Sequence, residues 1–303
     1  MPAFLVFAAR RIVEAMSLVL PLAIPVDPLL AQITDDAGQT VKTRPAARRA
    51  VALAPHLTEL VFAAGAGDFL VGVTRGSDYP PAAAAIPEIG DASSLDFETV
   101  LALRPDLVLA WGSGNRVTDI VRLRKLGLRV LVLEPETLED VARHLRLIGE
   151  LFATAVTAER AAAAYTARTS ALRRKYASAT PVSVLFEIWH QPLITVNRRH
   201  VISEVIRLCG GRNVFADLQQ LASAVSAEQV YWADAQVVIT GSEAADAGIA
   251  SWRGDTSLRA VRDGRVYSVP ADLIARQTPR ILDAAEKICM NLDAVRAAKD
   301  VRF

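Results

Sequence analysis

The sequence predicts an α/β chain of two lobes joined by a single long backbone helix. Three observations carry the prediction: a structural unit that occurs twice, a proline-free helical stretch between its copies, and a length of 303 residues, which suits about two domains. The unit is plainest in FETVLALRPDLVLAWGS, from Phe97, and AEQVYWADAQVVITGS, from Ala227. Aligned on Glu98 and Glu228, the copies keep an offset of 130 residues (228 − 98), with Val100 over Val230 and Leu107-Val108-Leu109 over Val237-Val238-Ile239. Each reads as a short helix with its glutamate in the first turn, N-capped by Asp96 or Ser226. A continuous apolar run follows, of the kind buried on both faces of a parallel sheet.

Taken in order, the chain opens with residues 1–31, which suit a secretory signal. Arg10 and Arg11 precede the apolar stretch Met16 to Val26, and small residues near Ala31 offer a cleavage site. The uninterrupted apolar stretch is too short to span a bilayer; an uncleaved N-terminal membrane tether is the alternative reading. Residues 32–47 are polar and rich in Asp, Thr and Arg, a composition that predicts a flexible leader. The first lobe, 48–136, then begins with RRAVALAPHLTELVFAAGA, read as strand, loop and helix, and ends with KLGLRVLVLEP, in which Gly127 leads into a buried strand.

The backbone helix is assigned to 137–179. Thr137 with Asp140 starts it as a capping box, and Val141, Leu145, Ile148 and Phe152 recur at helical spacing. About forty helical residues would reach roughly 60 Å; the β-branched Thr154, Val156 and Thr157 mark the place for a kink. The second lobe, 180–303, repeats the first: PVSVLFEIWHQPLITV and HVISEVIRLCGGRN open it, RDGRVYSVPAD echoes KLGLRVLVLEP through Gly264, and a final helix closes it. The pattern is that of two Rossmann-like lobes.

Composition narrows the function. Lys plus Arg number 34 against 33 Asp plus Glu, a net charge of +1, which gives nucleic acid no basic field to follow. The two cysteines, Cys209 and Cys289, read as a disulfide in an exported chain, with two buried free thiols as the alternative. An enzyme is the remote alternative. There is no G-x-S-x-G, H-E-x-x-H or complete phosphate-binding loop, GSGN from Gly112 is a weak glycine signal, and His144 and His200 have no evident carboxylate or serine partner. Nor is there the His, Asp and Glu cluster that zinc or manganese calls for.

Two lobes on one spine leave a cleft between them as the natural binding site. In order and spacing, LAPHLTELVFAAGAGDFLVGVTRGSDYPP, LRPDLVLAWGSGN, LGLRVLVL, LCGGRNVFAD, VSAEQV and TPRILDAAEKIC make the chain, from about Arg48 to Leu292, similar to the cobalamin-binding periplasmic proteins of ABC importers. That resemblance implies the helical-backbone, class III periplasmic binding protein fold and a monomer that captures a corrinoid and delivers it to a dimeric permease. It also implies that Glu98 and Glu228, one per lobe, dock onto permease arginines. As first-turn acids they also favour their helix N-termini by about 0.3 to 1 kcal/mol.

A corrin ring needs aromatic walls and dispersed hydrogen-bond partners. Trp111 matches a cleft tryptophan of the family, whereas the family's other aromatic positions fall on Gly76, Ala92 and Ala222. Trp189 is expected as the opposite wall and His190 beside it as an amide partner. His56 belongs on the loop after the first strand, Tyr79 on a loop held extended by two prolines, and Arg276 ahead of the last helix, facing an anionic ligand group. The same fold with haem or an iron siderophore as cargo is the alternative; Tyr79 and His190 would then be candidate axial ligands. No resident cofactor or metal is expected.

Overall fold

The computed structural model describes residues 32–91, 94–242 and 245–300. The signal expected over 1–31 and the family position at Ala92 lie outside them. Among the described residues no helix is long and apolar enough to cross a membrane.

Most of the stretch 32–47, expected as a flexible leader, is a hairpin instead, β1 (Gln32–Thr34) antiparallel to β2 (Thr40–Lys42). The reason lies in its turn. Asp35 Oδ2 accepts from Val132 N–H at 3.1 Å and from Arg124 at 2.9 Å, and Asp36 Oδ2 accepts from Glu134 N–H at 2.7 Å. The two carboxylates thereby cover backbone donors at an open sheet edge. Burial alone would raise the Asp36 carboxyl, but hydrogen bonds from His144, Arg143 and the Glu134 N–H hold it well below the usual range. Polar composition suggested mobility; those polar groups are the anchors.

The first lobe runs β3 (Ala50–Ala52), α1 (Pro55–Ala63), β4 (Leu70–Val73), α2 (Phe97–Ala102), β5 (Leu107–Trp111), α3 (Val117–Lys125) and β6 (Val130–Leu133). Its four strands are parallel in the order β4-β3-β5-β6. Strands β3 and β6 and the first four residues of β5 are wholly buried, as continuous apolar runs require.

The stretch 137–179, expected as one helix, is two: α4 (Leu138–Phe152) and α5 (Ala155–Tyr176). Ala153 takes a left-handed φ of 57° and ends α4. The pair folds back on itself, so Arg146 meets Glu159 at 2.6 Å and Arg173 meets Glu139 at 2.7 Å. Gly149 is what admits the return: a Cβ there would lie 2.3 Å from that of Ala158. The expected apolar stripe is correct, since Val141, Leu145, Ile148 and Phe152 are all buried. It faces α1 and α5 as well as the sheet, so tertiary packing stops the helix where propensity would have continued it. Joining the lobes falls to α5, whose 22 residues span roughly 33 Å. Thr157 packs on Gly65 of the first lobe, while Arg168 holds Asp283 and Glu286 and Tyr176 holds Asp293 in the second.

The second lobe runs β7 (Val182–Glu187), β8 (Ile194–Val196), α6 (Val201–Leu208), β9 (Gly211–Asn213), β10 (Ala222–Ala224), α7 (Ala227–Ala233), β11 (Val237–Gly241), α8 (Ala245–Ala250), α9 (Arg259–Arg262), β12 (Val266–Val269), α10 (Ala271–Ile274) and α11 (Ile281–Asp300). Its parallel sheet has the order β9-β7-β11-β12, so each lobe places its second strand beside its first, then the third and fourth. The repeat is thus topological: β5 and β11 are the third strands, Asp96 and Ser226 cap α2 and α7, and Gly127 and Gly264 make left-handed turns at φ 82° and 65° before β6 and β12. Strands β8 and β10 form a separate antiparallel ribbon. Cys209, at the end of α6, is bonded to Cys289 inside α11.

Candidate ligand site between the lobes

In open α/β sheets ligands bind beyond the carboxyl ends of the strands, where strand order reverses. In the first lobe that point lies between β3 and β5. Trp111 ends β5, and the turn after it is built around the indole: a Cβ on Gly114 would fall 1.8 Å from the Trp111 ring, so only glycine lets the chain close over it. Asn115 ties the turn down, its Oδ1 accepting from Trp111 N–H at 2.7 Å and its Nδ2 donating to Leu53 O at 2.9 Å. GSGN is therefore an aromatic-positioning turn. Glu134 orients the same ring, accepting from Trp111 Nε1 at 3.3 Å and from Ser113 N–H at 2.5 Å.

His56 lies against Trp111 edge to face, ring centroids 5.0 Å apart. It is buried and its Nε2 has no hydrogen-bond partner. Desolvation, aided by the charges of His144 and Arg276, pushes its pKa down to about 3, so the ring is neutral and backs the tryptophan.

Trp111, Gly112, Ser113 and Glu134 form one wall of an open cavity of 640 Å³. Across it stand Arg198, Arg199, His200, Val201 and Leu221 of the second lobe. That wall is fixed from beneath: Asn197 Nδ2 donates to Leu218 O at 3.1 Å and Ser203 Oγ donates to Asn197 O at 2.7 Å. His200 caps α6, its Nδ1 accepting from Ile202 N–H at 3.2 Å, and burial pushes its pKa down to about 4. With Nδ1 unprotonated and the ring neutral, the proton sits on Nε2. His200 thus brings an N–H donor to the cleft.

A polar lock closes one flank. Glu59 of α1 accepts from Arg276 at 2.9 Å, Arg280 at 3.0 Å and Thr278 at 2.9 Å, all from the other lobe. Arg276 also donates to Asp78 at 2.7 Å and to Gly76 O at 3.1 Å. Its guanidinium, expected to face a ligand anion, is thus committed to holding the lobes together. Tyr79, 43% exposed, has the Arg280 guanidinium over its ring at 3.8 Å.

Trp189 follows β7 at the corresponding end of the second sheet. It is 61% exposed, and its indole N–H donates to Gln191 O at 2.9 Å. Neither it nor His190 is among the residues that line the 640 Å³ cavity. His190 packs on Trp252, centroids 5.6 Å apart, with Nδ1 3.4 Å from Glu187. Trp111 is therefore the one expected contact that the cavity gathers, and His56 supports it from behind. Sequence reading missed the second wall; the signal was the charged NRRH turn ahead of a helix. Among the described residues no group of three or more His, Cys, Asp or Glu side chains is arranged to hold a metal ion.

The family model described as periplasmic binding protein matches residues 51–273. The chain belongs to the periplasmic binding protein family. A vitamin B12-binding protein of Vibrio cholerae is 38% identical over 247 residues, covering 81% of this chain and 89% of its own length. That of Vibrio parahaemolyticus is 34% identical over 250 residues, covering 82% and 90%. Among solved structures, the periplasmic vitamin B12 binding protein BtuF of Vibrio cholerae matches with a TM-score of 0.77 at 36% identity, covering 82% of this chain and 98% of its own. A periplasmic haem-binding protein of Pseudomonas aeruginosa matches at 0.73 and 27% identity, covering 80% and 91%. The expected two-lobed binding-protein fold holds.

Proposed function

We propose that this periplasmic binding protein captures a corrinoid of the cobalamin class in its interlobe cleft and delivers it to an ABC importer permease. The observation that carries the reading is the wall built by Trp111, with Gly114, Glu134 and His56 devoted to presenting one indole at the β5 end. Such a wall suits a broad apolar ring edge. Opposite it, His200 Nε2–H offers a donor to amide side arms, beside Arg198 and Arg199, whose guanidinium groups also hold Ala216 O, Asp217 and Gln219 O. The similarity to vitamin B12-binding relatives supports the same cargo.

Haem is the reading this site favours less. A histidine or tyrosine axial ligand must present an unprotonated ring nitrogen or a phenolate; His200 spends its one such nitrogen on the α6 cap, and His190, the expected candidate, lies outside the 640 Å³ cavity. Tyr79 keeps an arginine over its ring. Glu98 and Glu228, each exposed in the first turn of its helix, dock onto arginines of the permease, one carboxylate per lobe.

Gel filtration with absorbance detection tests the cargo. The protein mixed with cyanocobalamin and excess haem should co-elute with the corrinoid spectrum, and Trp111→Ala should lose it; co-elution with haem alone would overturn the reading. Intact mass of the exported chain tests the expected cleavage: a start near Gln32 supports a freed protein, and retention of 1–31 a tether.

A further inference from the structure

We propose that the second lobe holds the permease by an aromatic anchor, Trp232 with Tyr231, which the first lobe lacks. The proposal rests on the docking reading above, and the two can fail separately.

Helices α2 and α7 are counterparts at the offset of 130 residues, each with an exposed glutamate in its first turn. Three residues on, both carry an exposed apolar side chain, Leu101 at 41% and Tyr231 at 42%. The spacing i, i+3 sets each beside its glutamate on one helix face. At i+4 the symmetry breaks. The first lobe has Ala102, while the second has Trp232, 89% exposed and the most exposed large apolar side chain among the described residues. A tryptophan held that far from the core adds almost nothing to folding. Tryptophan and tyrosine are, however, the side chains that most often dominate interface energies.

Behind Tyr231 the surface opens into a hollow of 380 Å³ lined by Leu193, Val225, Val230 and Trp252. The Tyr231 hydroxyl is fixed by both oxygens of Asp255, at 3.1 and 3.0 Å. Carboxylate, exposed indole and apolar hollow adjoin one another on and around α7. The surface fits a protein loop that brings an arginine to Glu228 and an apolar side chain to the hollow, with the same arginine able to lie on the Trp232 ring. Continuity with the Glu228 contact selects the periplasmic face of the permease as occupant. An anionic lipid headgroup would meet the Glu228 charge instead. The two feet of the protein then grip unequally: charge and Leu101 on one, charge and two aromatics on the other.

The test is binding of the full-length protein to the cognate permease–ATPase complex in liposomes, with corrinoid affinity measured beside it. Trp232→Ala should weaken permease binding about thirtyfold or more, the range of an interface hot spot, with corrinoid affinity and Tm unchanged. Trp232→Phe should restore most of it. If Glu228→Ala loses the permease but Trp232→Ala binds as wild type, docking stands and the anchor is overturned. If none of Glu98→Ala, Glu228→Ala and Trp232→Ala changes binding, the docking reading falls and the anchor with it. Trp232-dependent binding to permease-free vesicles of anionic lipid would reassign the surface to the membrane and overturn the proposal.

Discussion

The cleft wall of the second lobe should weaken in mild acid, through His200. Its pKa lies at about 4 in the folded protein because burial disfavours the charged ring, against about 6.5 in an unfolded chain. A histidine with a depressed folded pKa binds more protons when unfolded. Its contribution is therefore complete above about pH 6.5 and is lost as pH falls from there toward 4. At pH 5 the unfolded chain gains a protonation factor of about 30 that the folded state lacks, which is about 2 kcal/mol. His56, pushed down to about 3 by burial, follows the same sign and adds about 2 kcal/mol at that pH. Glu187 and Glu204, whose carboxyls burial raises, offset part of the loss. Denaturant unfolding at pH 7.5 and pH 5 reads the difference. His200→Asn keeps an N-cap acceptor but cannot titrate, so it should lose about 2 kcal/mol less than wild type over that interval. An identical pH dependence in variant and wild type would mean that His200 does not titrate in this range.

Three further outcomes follow from the packing. Reduction of Cys209–Cys289, which closes a separation of 80 residues, should cost about 4.5 kcal/mol in the chain-entropy model, and an unchanged denaturation midpoint in reductant would contradict it. Gly114→Ala sets a Cβ 1.8 Å from the Trp111 ring, so the turn must open; corrinoid affinity should fall at least tenfold with the fold retained, and wild-type affinity would show that the turn does not set the indole. Arg276→Ala removes three contacts across the lobes and should raise the radius of gyration of the unliganded protein. A scattering curve identical to wild type would mean that α5, with the Arg280 and Thr278 contacts to Glu59, keeps the lobes in place without Arg276.

The parts that were legible in the sequence are those fixed by local chemistry. The 130-residue offset, the caps Asp96 and Ser226, the turn glycines Gly127 and Gly264 and the end of β5 at Trp111 each depend on residues close in sequence. What could not be read there depends on distant partners. The β-branched residues after Ala153 mark the place of a kink but not a reversal; α4 ends there because Gly149 and Ala158 meet only once α5 packs back. Asp35 and Asp36 looked like leader polarity because Val132 and Glu134, the backbone they cover, lie about a hundred residues away. Arg276 looked free because its partner Glu59 belongs to the other lobe. The second cleft wall, at Arg198 to Val201, was passed over because a charged turn is more often a solvated one.

Calorimetric titration of the purified protein with cyanocobalamin, with haem run in parallel and Trp111→Ala as control, decides whether the cleft holds a corrinoid. Corrinoid binding should be tight and one-to-one, at least tenfold weaker in the variant, with no comparable heat from haem. Corrinoid heat absent from a folded sample, or unchanged by Trp111→Ala, would contradict it.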